Sequence, residues 1–177
     1  MILPDPQKLR IEFYPNPILK KVCKPIERFG DELQRFTEGM IELMLRAKGV
    51  GLSAPQVGVP ITLFVCNTTG EPGDSQIHVN PLFTELTGAA ESEEGCLSLP
   101  GVDVTMRRAT TAVMQTQDAR GNKKEITATD LLARIWQHEA DHLEGRLIVD
   151  NMSTTDEITN RNILKQLKAD YAAARKR

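Results

Sequence analysis

Apolar residues recur with helical spacing in three stretches of this chain and cluster or alternate like strands between them. Beyond residue 31, Leu33, Phe36, Met40, Met44 and Ala47 fall on one stripe, with Asp31 as the expected N-cap and Gly49 as the expected stop. A second stripe holds Leu131, Ile135, His138 and His142; Thr129 or Asp130 caps it, and it runs to about Glu144 before Gly145. Its apolar positions predict that this face is buried. A third begins with the capping-box pattern Thr154-Thr155-Asp156-Glu157 and carries Leu164, Leu167, Tyr171 and Ala174.

Strand signals lie between the helices. Residues 61–66 form an apolar run, and a turn at Pro72-Gly73 precedes a short strand over 77–79. Residues 110–117 alternate, and a turn over 118–122 leads to a return strand over 123–127. The opening segment, with Pro4, Pro6, Pro15 and Pro17, reads as extended chain laid over a body. No internal repeat is visible. The pattern predicts an α+β fold, with mixed or antiparallel strands around a central HExxH helix and a helix at the C-terminal end.

Length and charge narrow the class. At 177 residues, one domain spanning 1–177 is expected, with residues 1–8 as an N-terminal extension and 154–177 as a basic amphipathic helix. A 40% apolar content suffices for a core without metals or disulfides. A net charge of -2 argues against a dedicated nucleic-acid binder, so no specific DNA binding is expected. Cys23, Cys66 and Cys96 are odd in number and far apart, which favours a reducing compartment. No apolar run reaches membrane-spanning length and the opening residues are not a signal peptide. A cytoplasmic location is expected, or an organellar one if a transit segment was removed.

Two short segments carry the chemistry. In His138-Glu139-Ala140-Asp141-His142 the imidazoles stand at i and i+4, on one helix face, where they can share a metal ion. Glu94-Gly95-Cys96-Leu97-Ser98 offers a thiol as third ligand. Two neutral imidazoles and a thiolate suit a borderline-soft divalent ion, and three protein ligands leave a fourth position for water. The ion lowers that water's pKa and polarises a carbonyl. Glu139, directly after a ligand, is placed to take the proton. Amide or ester hydrolysis is the expected reaction.

Other readings remain open here. An HExxH sequence can arise with both histidines simply in a core, although this chain has only three histidines and two are used. A metal-dependent peptidase is a rival. Its long signature would place a third histidine three residues after Gly145, where this chain has Ile148. That absence raises the standing of Cys96, whereas Cys23 and Cys66 read as small buried hydrophobes. A catalytically idle relative serving as a binding module is the alternative from another class.

Three motifs, in order, closely resemble the peptide deformylases: residues 49–56 (GVGLSAPQ), 94–98 (EGCLS) and 137–145 (QHEADHLEG). Tyr14-Pro15-Asn16-Pro17 with Leu19 resembles the family's usual beginning, and the likeness covers about residues 9–152. One departure is Ser53, where alanine is commoner. The resemblance implies removal of the formyl group from N-terminal formylmethionine, with a metal-bound water attacking the formyl carbonyl. It implies Cys96, His138 and His142 as metal ligands and Glu139 as general base and acid. Gln56 and the Leu97 backbone N–H become the oxyanion donors.

For substrate, the resemblance implies a peptide added as a strand, with the methionine side chain in an apolar pocket. Val50 and Gly95 would offer backbone contacts, and Gly51 with Gly49 would let the peptide approach closely. Leu131, Ile135 and Glu94 would lie near the pocket, and Arg108 would meet the peptide further along. Arg134 is a possible partner for Glu94. Ligand types alone point to zinc; the resemblance implies ferrous iron in the cell, with zinc, nickel or cobalt able to replace it.

The last stretch, 161–177, holds six basic residues and one acid, a net +5 against -7 for the rest. A solvated basic face on a packed helix is the plainer reading. Transient contact with ribosomal RNA is the functional one.

Overall fold

The two periodicities resolve into three helices and seven strands in the computed structural model, which describes residues 3–175. In order these are α1 (Asp31–Arg46), β1 (Gly51–Ser53), β2 (Leu63–Cys66), β3 (Gln76–Thr87), β4 (Ala90–Cys96) and β5 (Leu99–Arg108). Then come β6 (Thr111–Gln117), β7 (Lys123–Thr129), α2 (Asp130–Leu143) and α3 (Thr154–Ala174). The fold is α+β. Strands β1-β2-β3-β6-β7 form one sheet and β4-β5 a separate hairpin, with every pairing between these strands antiparallel.

Three apolar clusters tie the elements together. The stripe of α1 packs Leu33, Phe36, Met40 and Met44 with Leu52, Leu63 and Val65 of the sheet. On α2, Ala133, Trp136 and Leu143 meet Phe64, Cys66 and Met114. Beneath the hairpin, Leu99, Val102, Val104 and Met106 enclose Leu19, Leu147 and Ile148, with Leu164 and Leu167 of α3 against them. Position 148, where the peptidase signature would need a histidine, therefore belongs to a hydrocarbon cluster. Cys23 and Cys66 are buried and free, as expected of small hydrophobes.

Element ends depart from expectation for local reasons. Gly30 is the N-cap of α1 and Asp31 is already helical, its carboxylate in the first turn, where the helix dipole favours it. The helix stops at Arg46, because Lys48 takes φ 57° one residue before Gly49. The capping box of α3 sits one residue early: Ser153 Oγ accepts the Asp156 N–H at 3.1 Å, and the Asp156 carboxylate accepts the Ser153 N–H at 3.1 Å. The short strand over 77–79 continues to Thr87. A bulge between Val79 and Leu82, with Asn80 at φ 50°, accommodates Pro81.

The hairpin β4-β5 is absent from the sequence reading. Strand β4 has one buried position, and that position is Glu94, so no apolar alternation marks it. Strand β5 alternates Val102, Val104, Met106 and then Arg108 on its buried side. The opening segment is extended chain broken by two single-turn 3-10 helices, Pro6–Lys8 and Pro17–Lys20. On α3, Leu164, Leu167 and Tyr171 are half-buried and Ala174 is exposed. Residues 1, 2, 176 and 177 of the two expected terminal segments lie outside the described residues.

Candidate metal centre and its pocket

Helix α2 runs across the five-stranded sheet with Trp136 on the sheet side and the two motif histidines on another face. Cys96, the last residue of β4 before a tight turn, stands beside those histidines. One ligand atom each from Cys96, His138 and His142 lies within 4.8 Å of the others, and Cys96 Sγ is 3.3 Å from His142 Nε2. A tetrahedral ion with bonds of about 2.0–2.3 Å separates its donors by roughly 3.3–3.7 Å. The thiol and two imidazoles therefore fit a divalent ion by both spacing and donor type.

Behind the donors stands a buried ionic cluster. Glu94 Oε2 lies 3.0 Å from His138 Nδ1, which leaves Nε2 as the nitrogen free to bind. Arg108 grips both Glu94 oxygens, Nε to Oε1 at 3.0 Å and Nη2 to Oε2 at 2.9 Å, and extends Nη1 to Asp141 at 2.5 Å. Arg134, the expected partner, donates to Glu94 Oε1 at 2.7 Å and to the Met106 carbonyl at 3.0 Å. Burial alone would push the Glu94 carboxyl up. Its bonds with His138 and Arg108 outweigh that and hold it at about 2.

Two residues expected near the peptide, Arg108 and Glu94, are thus held within this cluster. Arg108 is buried, with its guanidinium turned to Glu94 and Asp141. The alternation of β5 puts it on the inner side, where two carboxylates satisfy its charge. Glu94 borders the pocket, yet both its oxygens are taken up by Arg108, Arg134 and His138. Asp141, inside the helix motif, was given no role from the sequence; its spacing from His142 was the available signal.

Glu139 is buried beside the donors, and its Oε2 has no protein partner. Burial pushes this carboxyl up to about 7. Gln56, also buried, donates from Nε2 to Ser98 Oγ at 3.1 Å and to Cys96 Sγ at 3.4 Å. The glycines around Val50 also leave space inside the site. A Cβ at position 51 would lie 2.9 Å from the Glu139 carboxyl carbon, and one at 49 would lie 2.6 Å from Leu97 Cδ1. They make room for site residues of this chain, whatever else approaches.

Cys96 and His138 open onto a cavity of about 450 Å³. Val50, Gly51, Gly95, Leu97, Leu131 and Ile135 line it, with Gln56, Cys96, His138 and Glu139 at its polar end. The α2 face expected to be buried is so only in part: Ile135 and His142 are buried, whereas Leu131 is 56% exposed at the cavity wall. Lys48, Glu93 and Pro100 also border the cavity and were not singled out from the sequence.

A family model described as polypeptide deformylase matches residues 8–157. The chain belongs to the polypeptide deformylase family. A peptide deformylase of Thermodesulfovibrio yellowstonii is 43% identical over 147 residues, covering 82% of this chain and 89% of that protein. The chloroplastic peptide deformylase 1B of Oryza sativa subsp. japonica is 39% identical over 166 residues, 92% of this chain; the match spans 62% of that longer protein. A crystal structure of the Plasmodium falciparum peptide deformylase superposes with a TM-score of 0.90 at 34% identity, covering 93% of this chain and 98% of the other. A plant peptide deformylase structure gives 0.92 at 35% identity, covering 97% and 95%.

Membership makes this chain a hydrolase of a metalloenzyme family, and Cys96, His138 and His142 form its possible metal-binding group. Among the described residues no helix is long and apolar enough to cross a membrane.

Proposed function

We propose that this polypeptide deformylase hydrolyses the N-formyl group of N-terminal formylmethionine on nascent polypeptides and releases formate. The observation that carries the reading is a three-residue donor cluster, two of whose members, Cys96 and His138, border one cavity together with a buried carboxyl and a side-chain amide. The whole chain acts as one catalytic unit.

Cys96, His138 and His142 would hold one divalent ion, ferrous iron in the cell, while zinc, nickel or cobalt suits the same donors. When bound, the ion supplies Lewis acidity toward a carbonyl oxygen and lowers the pKa of a water. Glu139 takes the proton from the attacking water and returns it to the departing amine. Its burial supports this, because a carboxyl near 7 exchanges protons in both directions at neutral pH. Gln56 Nε2 and the Leu97 N–H donate to the oxyanion as rigidly held neutral dipoles.

The peptide adds alongside β1, which is an edge strand of its sheet, with Val50, Gly51 and Gly95 offering backbone on either side. Leu131 and Ile135 give the cavity an apolar wall for the methionine side chain. Partial exposure of Leu131 supports this use, since a residue serving only the core would be covered. The reaction belongs in a bacterial-type cytoplasm, or in an organelle as the chloroplastic relatives are named.

Formate release from a formyl-Met tripeptide tests the reading. Metal-replete wild type is expected to release formate, and Glu139→Ala to do so about 10²–10⁴-fold more slowly. No formate from the metal-replete wild type overturns it. Anaerobic purification with metal analysis tests the iron; tightly bound zinc with full activity replaces it.

A further inference from the structure

Ser53 closes β1 and is completely buried three residues before Gln56. Two of its groups converge on one atom. The backbone N–H and the hydroxyl both lie 2.9 Å from Gln56 Oε1. An amide oxygen accepts two hydrogen bonds, so Ser53 satisfies Oε1 by itself. Rotating the amide by half a turn would present NH₂ to the backbone N–H of Ser53, donor against donor. The orientation of Gln56 is thus set from behind, and its Nε2 is the group that faces Ser98, Cys96 and the cavity.

One Nε2 hydrogen goes to Ser98 Oγ, a buried partner at 3.1 Å. The other meets Cys96 Sγ at 3.4 Å, a weak acceptor that an oxyanion would outcompete. We propose that Ser53 is a positioning residue of the deformylation reaction: its hydroxyl anchors Gln56 Oε1 and so aims the Nε2 donor at the oxyanion. This rests on the role given to Gln56 above. An alanine at 53 would keep the backbone N–H bond and lose the hydroxyl. One lone pair of a buried oxygen would then go unserved and the amide plane would be free to rock.

Such a role has a kinetic signature. The oxyanion forms only in the transition state, so a misaimed donor lowers kcat and leaves KM in place. Steady-state kinetics on metal-loaded wild type, Ser53→Ala, Gln56→Ala and the double variant provide the test, with metal content and thermal midpoint measured alongside. Ser53→Ala is expected to lower kcat about three- to tenfold with KM within about twofold, the size of one buried neutral hydrogen bond. In the Gln56→Ala background the same change is expected to cost nothing further, because the residue it acts through is gone. In the zinc-loaded protein, the Gln56 side-chain NH₂ signals in ¹⁵N-correlated NMR are expected to exchange faster with solvent after Ser53→Ala. Ser53→Cys, similar in size with a weaker donor, serves if the alanine variant folds poorly; it is expected to lower kcat by less than Ser53→Ala would.

Wild-type kcat in the folded Ser53 variant overturns the proposal. So does an equal loss in both backgrounds, which would mean that Ser53 acts without Gln56. Unchanged kcat in Gln56→Ala is a different failure: it removes the oxyanion role of Gln56 itself.

Discussion

Glu94 stands directly behind His138, its Oε2 3.0 Å from the imidazole Nδ1, and the same carboxylate is gripped by Arg108 and Arg134. One buried side chain thus orients a candidate metal donor and neutralises one buried and one half-buried guanidinium group. These duties separate by substitution. Glu94→Gln keeps the shape and still accepts a hydrogen bond, but loses the charge; metal affinity is expected to fall about 10–100-fold by chelator competition. Glu94→Ala also leaves buried Arg108 with Asp141 as its one carboxylate and half-buried Arg134 with none, and urea unfolding is expected to show a loss of about 3–5 kcal/mol. Unchanged metal affinity in Glu94→Gln would limit Glu94 to charge balance.

Close approach at Gly51 leads to a second prediction. A Cβ there would lie 2.9 Å from the Glu139 carboxyl carbon and 3.0 Å from its Cγ, so Gly51→Ala must displace the carboxylate. A displacement of about 1 Å at a reacting group costs on the order of 10²-fold in rate. Gly51→Ala is expected to lower kcat by about that factor while metal content stays at one ion per chain. A lowered affinity for peptide with unchanged kcat would instead assign the glycine to substrate approach.

The donor set was legible in the sequence because it depends on local geometry: i and i+4 on a helix fix two imidazoles relative to each other whatever surrounds them. What surrounds them was not. Arg108 and Glu94 occupy inward positions on β5 and β4, where hydrophobic residues would have announced the strands. Their charges cancel only across the hairpin and against α2, contacts separated by 14 and 33 residues in the chain. At Ser53, where alanine is commoner in the family resembled, size is visible in a sequence and the direction of a hydroxyl is not.

His78 gives a pH dependence away from the metal donors. It is fully buried against Phe64 and Trp136, with Cys66 Sγ at 3.7 Å from its Nε2 and Gln76 Oε1 at 3.2 Å. Burial first, and then the charge of Lys124, push its pKa from 6.5 down to about 3. The Cys66 thiol is pushed up to about 12, so it brings no negative charge in acid. Between about pH 6.5 and 3 the unfolded chain holds a proton on this residue that the folded protein does not. Stability therefore falls as pH drops through that window, by up to about 1.4 kcal/mol per unit. Urea unfolding at pH 7 and pH 5 is expected to show a loss about 2 kcal/mol larger in wild type than in His78→Gln. His138 and His142 are common to both proteins and drop out of the difference. Equal losses would mean that His78 is protonated inside the fold.

Helix α3 has a packed side and a basic side, and only variants that respect the division can tell what it is for. Asn160 is buried and donates to the Asp103 carbonyl at 2.8 Å, while Leu164 and Leu167 cover the cluster beneath the hairpin. Cutting the chain at residue 155 would uncover that cluster and is expected to cost about 2–4 kcal/mol, read as a lower thermal midpoint. Loss of ribosome pelleting in such a truncation would say little about charge. Arg161 and Lys165 are exposed on the other side. Reversing both to glutamate is expected to change stability by less than about 0.5 kcal/mol each. If α3 touches ribosomal RNA, that variant loses salt-dependent pelleting while its formate release from a free tripeptide stays at wild-type rate. Equal pelleting leaves α3 as a packing element, since backbone phosphates are read chiefly by such charges.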